Sequence, residues 1–266
     1  MKAQIPSRLG FGVSGAHGTP LLPRRATLSL LKDAFERGIR VFDTAPAYGA
    51  GEAETRLGLA LRDLPREEVF VCTKAGLASA GLSRRVRDFT PEGLEASLRA
   101  SLKRLGVEGL DALFLHGAGP DELTDALFSR LDTLKSAGAF ALLGAAGRGG
   151  ELDAALDTGR FQLLMQPVHP FLAPDAEARL LRAHAAGVEV FAIETAGSGS
   201  PPVRLPRKPA DLYPLARALA QPLRGETRRV GAVEGLQAAL ARREVGVALT
   251  TTTRPEHLAA NAALSP

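Results

Sequence analysis

Tryptophan is absent from this 266-residue chain, which has a single cysteine, two tyrosines and two methionines. One cysteine excludes an intramolecular disulfide and any cysteine-based metal centre. No His/Asp/Glu group has ligand spacing either, so no metal is expected. No apolar run approaches the roughly 20 residues of a membrane-spanning helix. The opening Met1-Lys2-Ala3-Gln4-Ile5-Pro6 lacks the apolar stretch of a secretory leader. The expectation is a cytoplasmic protein with no membrane partner. The charge balance, 33 Lys+Arg against 29 Asp+Glu, is mildly basic and mostly arginine. It comes without a dense basic stretch interleaved with aromatics, so nucleic acid is not an expected partner. Cys72 lies mid-strand and reads as a small core residue.

What is present is alternation. Short apolar runs fall at Leu9–Val13, Ile39–Phe42, Val69–Thr73, Ala112–Leu115, Phe140–Gly144, Leu163–Val168, Val188–Ile193 and Val245–Leu249. Between them run segments with apolar spacing of three and four, such as Leu94-Leu98-Leu102-Leu105 and Leu123-Leu127-Leu131-Leu134. Thr90-Pro91-Glu92 reads as a helix start, and Gly38, Gly106, Gly138 and Gly187 follow helices as left-handed caps do. Eight strands alternating with helices predict a single-domain (β/α)8 barrel, a TIM barrel, over residues 1–266. A doubly wound sheet is the competitor. Its glycine fingerprint is matched only superficially by Gly10-Phe11-Gly12-Val13-Ser14-Gly15, because Gly18 and Pro20 follow and no helix opens there. One connection is long: residues 195–230, after the seventh strand, carry Gly197, Gly199 and four prolines within Ser200–Pro209. It reads either as a cover over a site or as a surface linker.

Chemistry gathers at the carboxyl ends of three strands. Val41-Phe42-Asp43 runs into Thr44-Ala45-Pro46-Ala47-Tyr48-Gly49, Lys74 closes the run from Val69, and His116 closes Leu113-Phe114-Leu115. That rim is where barrel active sites are built. A phenol beside an ammonium is poised to donate a proton. Taken singly, Asp43 reads as a helix N-cap, Lys74 as a surface lysine, His116 as a loop histidine and Tyr48 as a rim aromatic. Their order as a set favours function.

Asp43-Thr44-Ala45-x-x-Tyr48-Gly49, a strand ending in Lys74 and one ending in His116 resemble the catalytic tetrad of the aldo-keto reductases, (β/α)8 enzymes that reduce carbonyls with NADPH. The resemblance continues through Gln166, Gly197-x-Gly199 and Arg254-Pro255-Glu256-His257-Leu258-x-x-Asn261. It implies Tyr48 as the acid that protonates the carbonyl oxygen, Lys74 as the cation that favours loss of the phenol proton, Asp43 as the partner of Lys74, and His116 as the group orienting the carbonyl. It also implies cofactor contacts from Gln166 to the nicotinamide amide, from Gly197 and Gly199, and from Asn261 to the adenine. Thr250-Thr251-Thr252-Thr253-Arg254 adds hydroxyls, a guanidinium and a helix N-terminus, a combination suited to phosphate. With Arg254 and His257 there, NADP(H) is expected ahead of NAD(H).

The chain also departs from that pattern. Gly144-Ala145-Ala146-Gly147 stands where a Ser-Asn pair usually holds the carboxamide, and Ile193 where a tyrosine stacks on the ring. Glu194-Thr195 replaces a usual Ser-Pro. Glu194 reads either as a rim carboxylate that would disfavour an anionic substrate or as a polar substrate contact. The last predicted helix, Pro255–Leu264, predicts an open pocket with no C-terminal loop across it, bordered by His17–Leu22, Leu77–Asp88, Gly117–Asp121 and the long loop after Thr195. The leading expectation is an NADP(H)-dependent oxidoreductase acting on a small carbonyl or alcohol, as a monomer or weak oligomer. The alternatives are a nucleotide-binding regulatory protein on the same scaffold and a barrel enzyme using Lys74 as a Schiff-base amine.

Overall fold

A computed structural model describes residues 5–79, 85–197, 208–220 and 228–264. Eight parallel strands close a barrel: β1 (Leu9–Gly12), β2 (Val41–Asp43), β3 (Phe70–Ala75), β6 (Leu110–His116), β7 (Phe140–Ala146), β8 (Leu163–Pro167), β9 (Glu189–Ile193) and β10 (Val245–Thr250). β1 pairs with both β2 and β10, which shuts the ring. All eight apolar runs of the sequence are barrel strands. Two strands outside the ring, β4 (Leu77–Ser79) and β5 (Arg85–Arg87), form an antiparallel hairpin after β3 that the apolar pattern does not announce.

Strand alternation splits the core in two. One side chain of each pair points into the barrel, where Val41, Phe70, Cys72, Ala112, Phe114, Leu163, Met165, Phe191 and Val247 form one buried cluster. The others point outward and pack under the helices. Phe70, Phe114 and Phe191 stack at ring separations of 5.5 to 6.2 Å and fill the barrel interior. Gly144 makes room for this plug, since a Cβ there would strike the Phe114 ring. Cys72 is fully buried, as expected of a core residue, and burial pushes its thiol well up from the ordinary range.

The outer layer comprises α1 (Arg24–Glu36), α2 (Glu52–Leu61), α3 (Pro91–Leu105), α4 (Asp125–Ser136), α5 (Gly150–Asp157), α6 (Pro174–Ala185), α7 (Leu212–Ala220), α8 (Ala232–Leu240) and α9 (Pro255–Ala262). Thr90 caps α3 by accepting from the Gly93 N–H at 3.1 Å, and Gly106 ends it at φ 68. No described helix is long and apolar enough to cross a membrane. After β9 the chain pairs Gly197 with Arg229 and then enters α8. The turn Pro209–Asp211 and α7 dock on the β1 loop through Ala210 and Tyr213 against Ala16 and Leu22.

A polar staple joins the first and last strands of the ring. His17, fully buried after β1, bonds through Nε2 to the Thr252 carbonyl at 3.0 Å and through Nδ1 to the Thr27 hydroxyl at 3.1 Å. Arg56 donates to Thr27, Leu22 O and Thr19 O, and pairs with Glu52. The neutral imidazole therefore carries its proton on Nε2 and accepts at Nδ1. Burial pulls its pKa from 6.5 to about 4, with Arg56 adding to the fall and the Thr252 carbonyl opposing it. Between those values the unfolded chain binds a proton that the folded chain refuses. Stability is therefore full above pH 6.5 and is lost as pH falls towards 4. The loss from this one group is about 3 kcal/mol. Urea unfolding measured across that window should show a pH slope that shrinks by one proton in His17→Gln; an unchanged slope would refute the assignment.

Candidate functional site

The inward register of three neighbouring strands builds the site. On β2, Val41 points into the barrel and so does Asp43; on β3 the same face carries Phe70, Cys72 and Lys74; on β6 it carries Ala112, Phe114 and His116. Asp43, Lys74 and His116 thus lie at or next to the ends of their strands, lining one cleft of about 460 Å³. Tyr48 reaches the same cleft from the turn after β2. Its backbone is held by Tyr48 N–H to Ala45 O at 3.0 Å and by close approach of Gly49 to Gly18. Gly49 has φ 65, and any Cβ there would collide with the Gly18 carbonyl. Glycine is the residue that suits both demands.

Lys74 is 2% exposed, and its ammonium donates to Asp43 Oδ1 at 2.7 Å, Asp43 Oδ2 at 2.6 Å and Thr44 O at 2.9 Å. Those three acceptors match its three N–H groups. Burial opposes the charge on Lys74, but the Asp43 carboxylate, with help from Tyr48, outweighs it and raises the lysine above its usual range. Burial likewise pushes the Asp43 carboxyl up against the pull of Lys74. At 2.6 Å the Lys74 cation holds Asp43 as its counter-ion. The ammonium sits 5.1 Å from the centre of the Tyr48 ring, so it acts on the phenol through its field.

Tyr48 and His116 meet edge to face, ring centres 6.5 Å apart. Burial first, then the charges of Lys74, Arg85, Arg148 and Arg87, pull His116 down to about 3, so its imidazole is neutral at ordinary pH. Its Nδ1 is buried without a hydrogen-bond partner. An orphaned buried N–H is the costlier alternative, which leaves the proton on Nε2, the nitrogen open to the cleft. The site therefore presents two O–H/N–H donors towards one small volume, with a fixed cation beneath them.

From there the cleft runs past Ala146, Gly147, Met165, Ile193, Glu194, Thr195 and Ala196 to Leu249, Thr250 and Thr251, with Gly12, Ser14, Arg229 and Ala232 on its sides. Thr251, a predicted cofactor residue, lines it and donates to Gly12 O at 2.9 Å. Gly197 lies at the rim with φ 109, where a side chain would strike the Arg228 carbonyl. Gly199 lies outside the described residues. Gln166 is not brought to the cleft. Leu163 and Met165 take the inward positions of β8, so Gln166 faces α6, where Nε2 donates to Ala176 O at 3.5 Å and Oε1 is left without a partner.

Past β10, Thr252 is turned in to bond the Arg254 N–H at 3.2 Å, and Asn261 donates to the Thr250 hydroxyl at 2.7 Å. His257 is exposed on α9. Arg254, at the start of α9, is held by both Asp211 oxygens at 2.9 and 3.1 Å. Arg85, from a segment expected at the pocket's border, and Arg148 both line the cleft, and the sequence singled out neither. Arg148 forms an ion pair with Glu194, a non-glycine residue at φ 53.

Gly12 lets the wall close on Thr251, a Cβ there coming within 2.7 Å of its hydroxyl, and the N-terminus of α8 with Arg229 offers positive potential. Ala145 and Ala146 offer no side-chain hydrogen-bonding group where the cleft passes Ala146 and Gly147.

A family model described as the aldo/keto reductase family matches residues 8–209. Over 178 residues the chain is 34% identical to the D-threo-aldose 1-dehydrogenase of a Pseudomonas species, covering 55% of this chain and 54% of that protein. Over 156 residues it is 31% identical to the NADH-specific methylglyoxal reductase of Escherichia coli K12, covering 53% and 48%. The chain spans about half or less of the curated relatives it matches. The solved structure of an aldo-keto reductase from Klebsiella pneumoniae in complex with NADPH has a TM-score of 0.71 at 20% identity, covering 99% of this chain and 89% of that one. At that identity the likeness speaks for the fold.

The buried pair makes a testable demand on stability. Asp43→Ala and Lys74→Met should each cost about 3–5 kcal/mol, because each strands an unpaired charge or its protonated substitute. The double variant should lose clearly less than the sum in denaturant unfolding. Additive losses would mean the two groups do not depend on each other.

Proposed function

The chain belongs to the aldo/keto reductase family of oxidoreductases, and we propose that it is an NADP(H)-dependent carbonyl reductase, or the reverse alcohol dehydrogenase, with Tyr48 as its general acid. NAD(H) is the less favoured cofactor. The reading is carried by one observation: Tyr48 and His116 converge on the same volume above the Lys74–Asp43 pair. A bound reduced nicotinamide would supply the hydride that reaches the carbonyl carbon. His116, neutral, donates from Nε2 to the carbonyl oxygen and orients it. Tyr48 transfers its hydroxyl proton to that oxygen as negative charge builds there. The phenolate left behind lies in the field of Lys74, whose own proton is locked by Asp43 and Thr44. Two donors aimed at a developing alkoxide are electrostatic stabilisation. The plug of Phe70, Phe114 and Phe191 below keeps water from the floor.

Thr251, Gly197, Arg229 and the first N–H groups of α8 would hold the dinucleotide, and Ile193 would cover a ring face by van der Waals contact. Arg254 and His257 would meet a 2′-phosphate, Arg254 by exchanging its Asp211 carboxylate for it. The absent carboxamide side chains at Ala145-Ala146 are the one feature that suits a regulatory nucleotide binder instead.

Tyr48→Phe separates these. It should lower kcat by about 10²–10⁴-fold while dinucleotide affinity, read by fluorescence, stays within a small factor of wild type. Unchanged turnover would remove Tyr48 as the acid.

A further inference from the structure

The wall of the cleft nearest Tyr48 and His116 carries an uncommitted cation. Arg85 and Arg87 are two residues apart on β5, so they project from the same face of the hairpin. That face is turned to the site: Arg87 donates to the carbonyl of Gly117, the residue after His116, at 2.8 Å, and Arg85 lines the cleft itself.

The other charges around His116 are spoken for. Lys74 is held by Asp43, Arg87 by Glu122 at 2.5 Å, and Arg148 by Glu194. Glu151, near Gly117, accepts from the Arg148 N–H at 2.7 Å. Arg85 has no ion pair or hydrogen bond among the described residues. The two carboxylates that line the cleft, Asp43 and Glu194, are thus taken up by Lys74 and Arg148, and Arg85 pairs with neither. Arg229 lies at the opposite end, paired in backbone with Gly197 beyond β9, where the dinucleotide runs. The positive charge at the Arg85 end is therefore surplus to what the dinucleotide needs. The field of Arg85, Arg87 and Arg148 reaching the His116 ring supports the same reading.

We propose that Arg85 binds an oxyanionic group of the substrate, so that the carbonyl compound reduced at Tyr48 and His116 carries a carboxylate or a phosphate. This rests on the reductase reading above. A guanidinium is the side chain best shaped for either oxyanion, since its planar fork can give two parallel hydrogen bonds. It would also draw an anionic substrate to the mouth of the cleft, an effect that weakens as salt rises.

Two matched pairs test it, with NADPH as reductant: 4-oxobutanoate against 4-oxobutanamide, and glyceraldehyde 3-phosphate against glyceraldehyde. At low salt at least one anionic member should exceed its neutral partner in kcat/KM by about tenfold, equivalent to about 1.4 kcal/mol. The pair showing the preference identifies carboxylate or phosphate. Arg85→Ala should bring that ratio close to unity, and Arg85→Lys should keep part of it. Neutral members turned over as well as anionic ones, or a preference surviving in Arg85→Ala, would overturn the proposal and leave the reductase reading standing. No turnover of any of the four would overturn both.

Discussion

Everything at the rim depends on an ion pair that the barrel cannot hydrate. Lys74, next to the end of β3, takes the inward face because Phe70 and Cys72, at the same parity, fill the interior. An ammonium in that position is tolerable only with a full set of acceptors, and Asp43 and Thr44 provide it. The pair comes from adjacent strands in register, Asp43 opposite Cys72, so the β-sheet itself sets the distance. With its charge retained and its protons occupied, Lys74 becomes a fixed positive potential. Tyr48 then needs only to be placed above it, which the Gly18–Gly49 contact does.

Below the pair the barrel is closed by aromatic rings; above it the cleft opens between loops of different character. Towards β9 and β10 it is lined by small residues, threonine hydroxyls and the start of α8. Towards β3, β6 and β7 it is lined by arginines on the hairpin and after β7. The His17 staple ties the β1 loop to Thr252 at the seam of the ring. Asp211 ties the segment after β9 to Arg254. The long connection is thus anchored at both described ends, at the Gly197–Arg229 pairing and at α7 on the β1 loop.

Much of this was legible from residue order. Every apolar run of the sequence is a barrel strand, and period-two counting from Phe70 or Phe114 already directs Lys74 and His116 inward. The same count applied to β8 sends Gln166 outward; assigning it by motif ignored its parity with Leu164. The β4–β5 hairpin was hidden because each strand is three residues long and β5 is Arg-Val-Arg with all side chains exposed. Arg85 and Arg148 were not singled out for a different reason: in a chain this rich in arginine, nothing local separates a cleft residue from a solvated one. The Asp211–Arg254 pair joins residues 43 apart and exists only because the chain after β9 folds back over the seam.

The most direct test of the central claim is a fluorescence titration of the purified protein with NADPH and with NADH. A reductase built on this cleft should bind NADPH saturably, and more tightly than NADH. Failure to bind either would mean that Ala145, Ala146 and Ile193 leave no place for the nicotinamide, and that the tetrad does not serve hydride transfer.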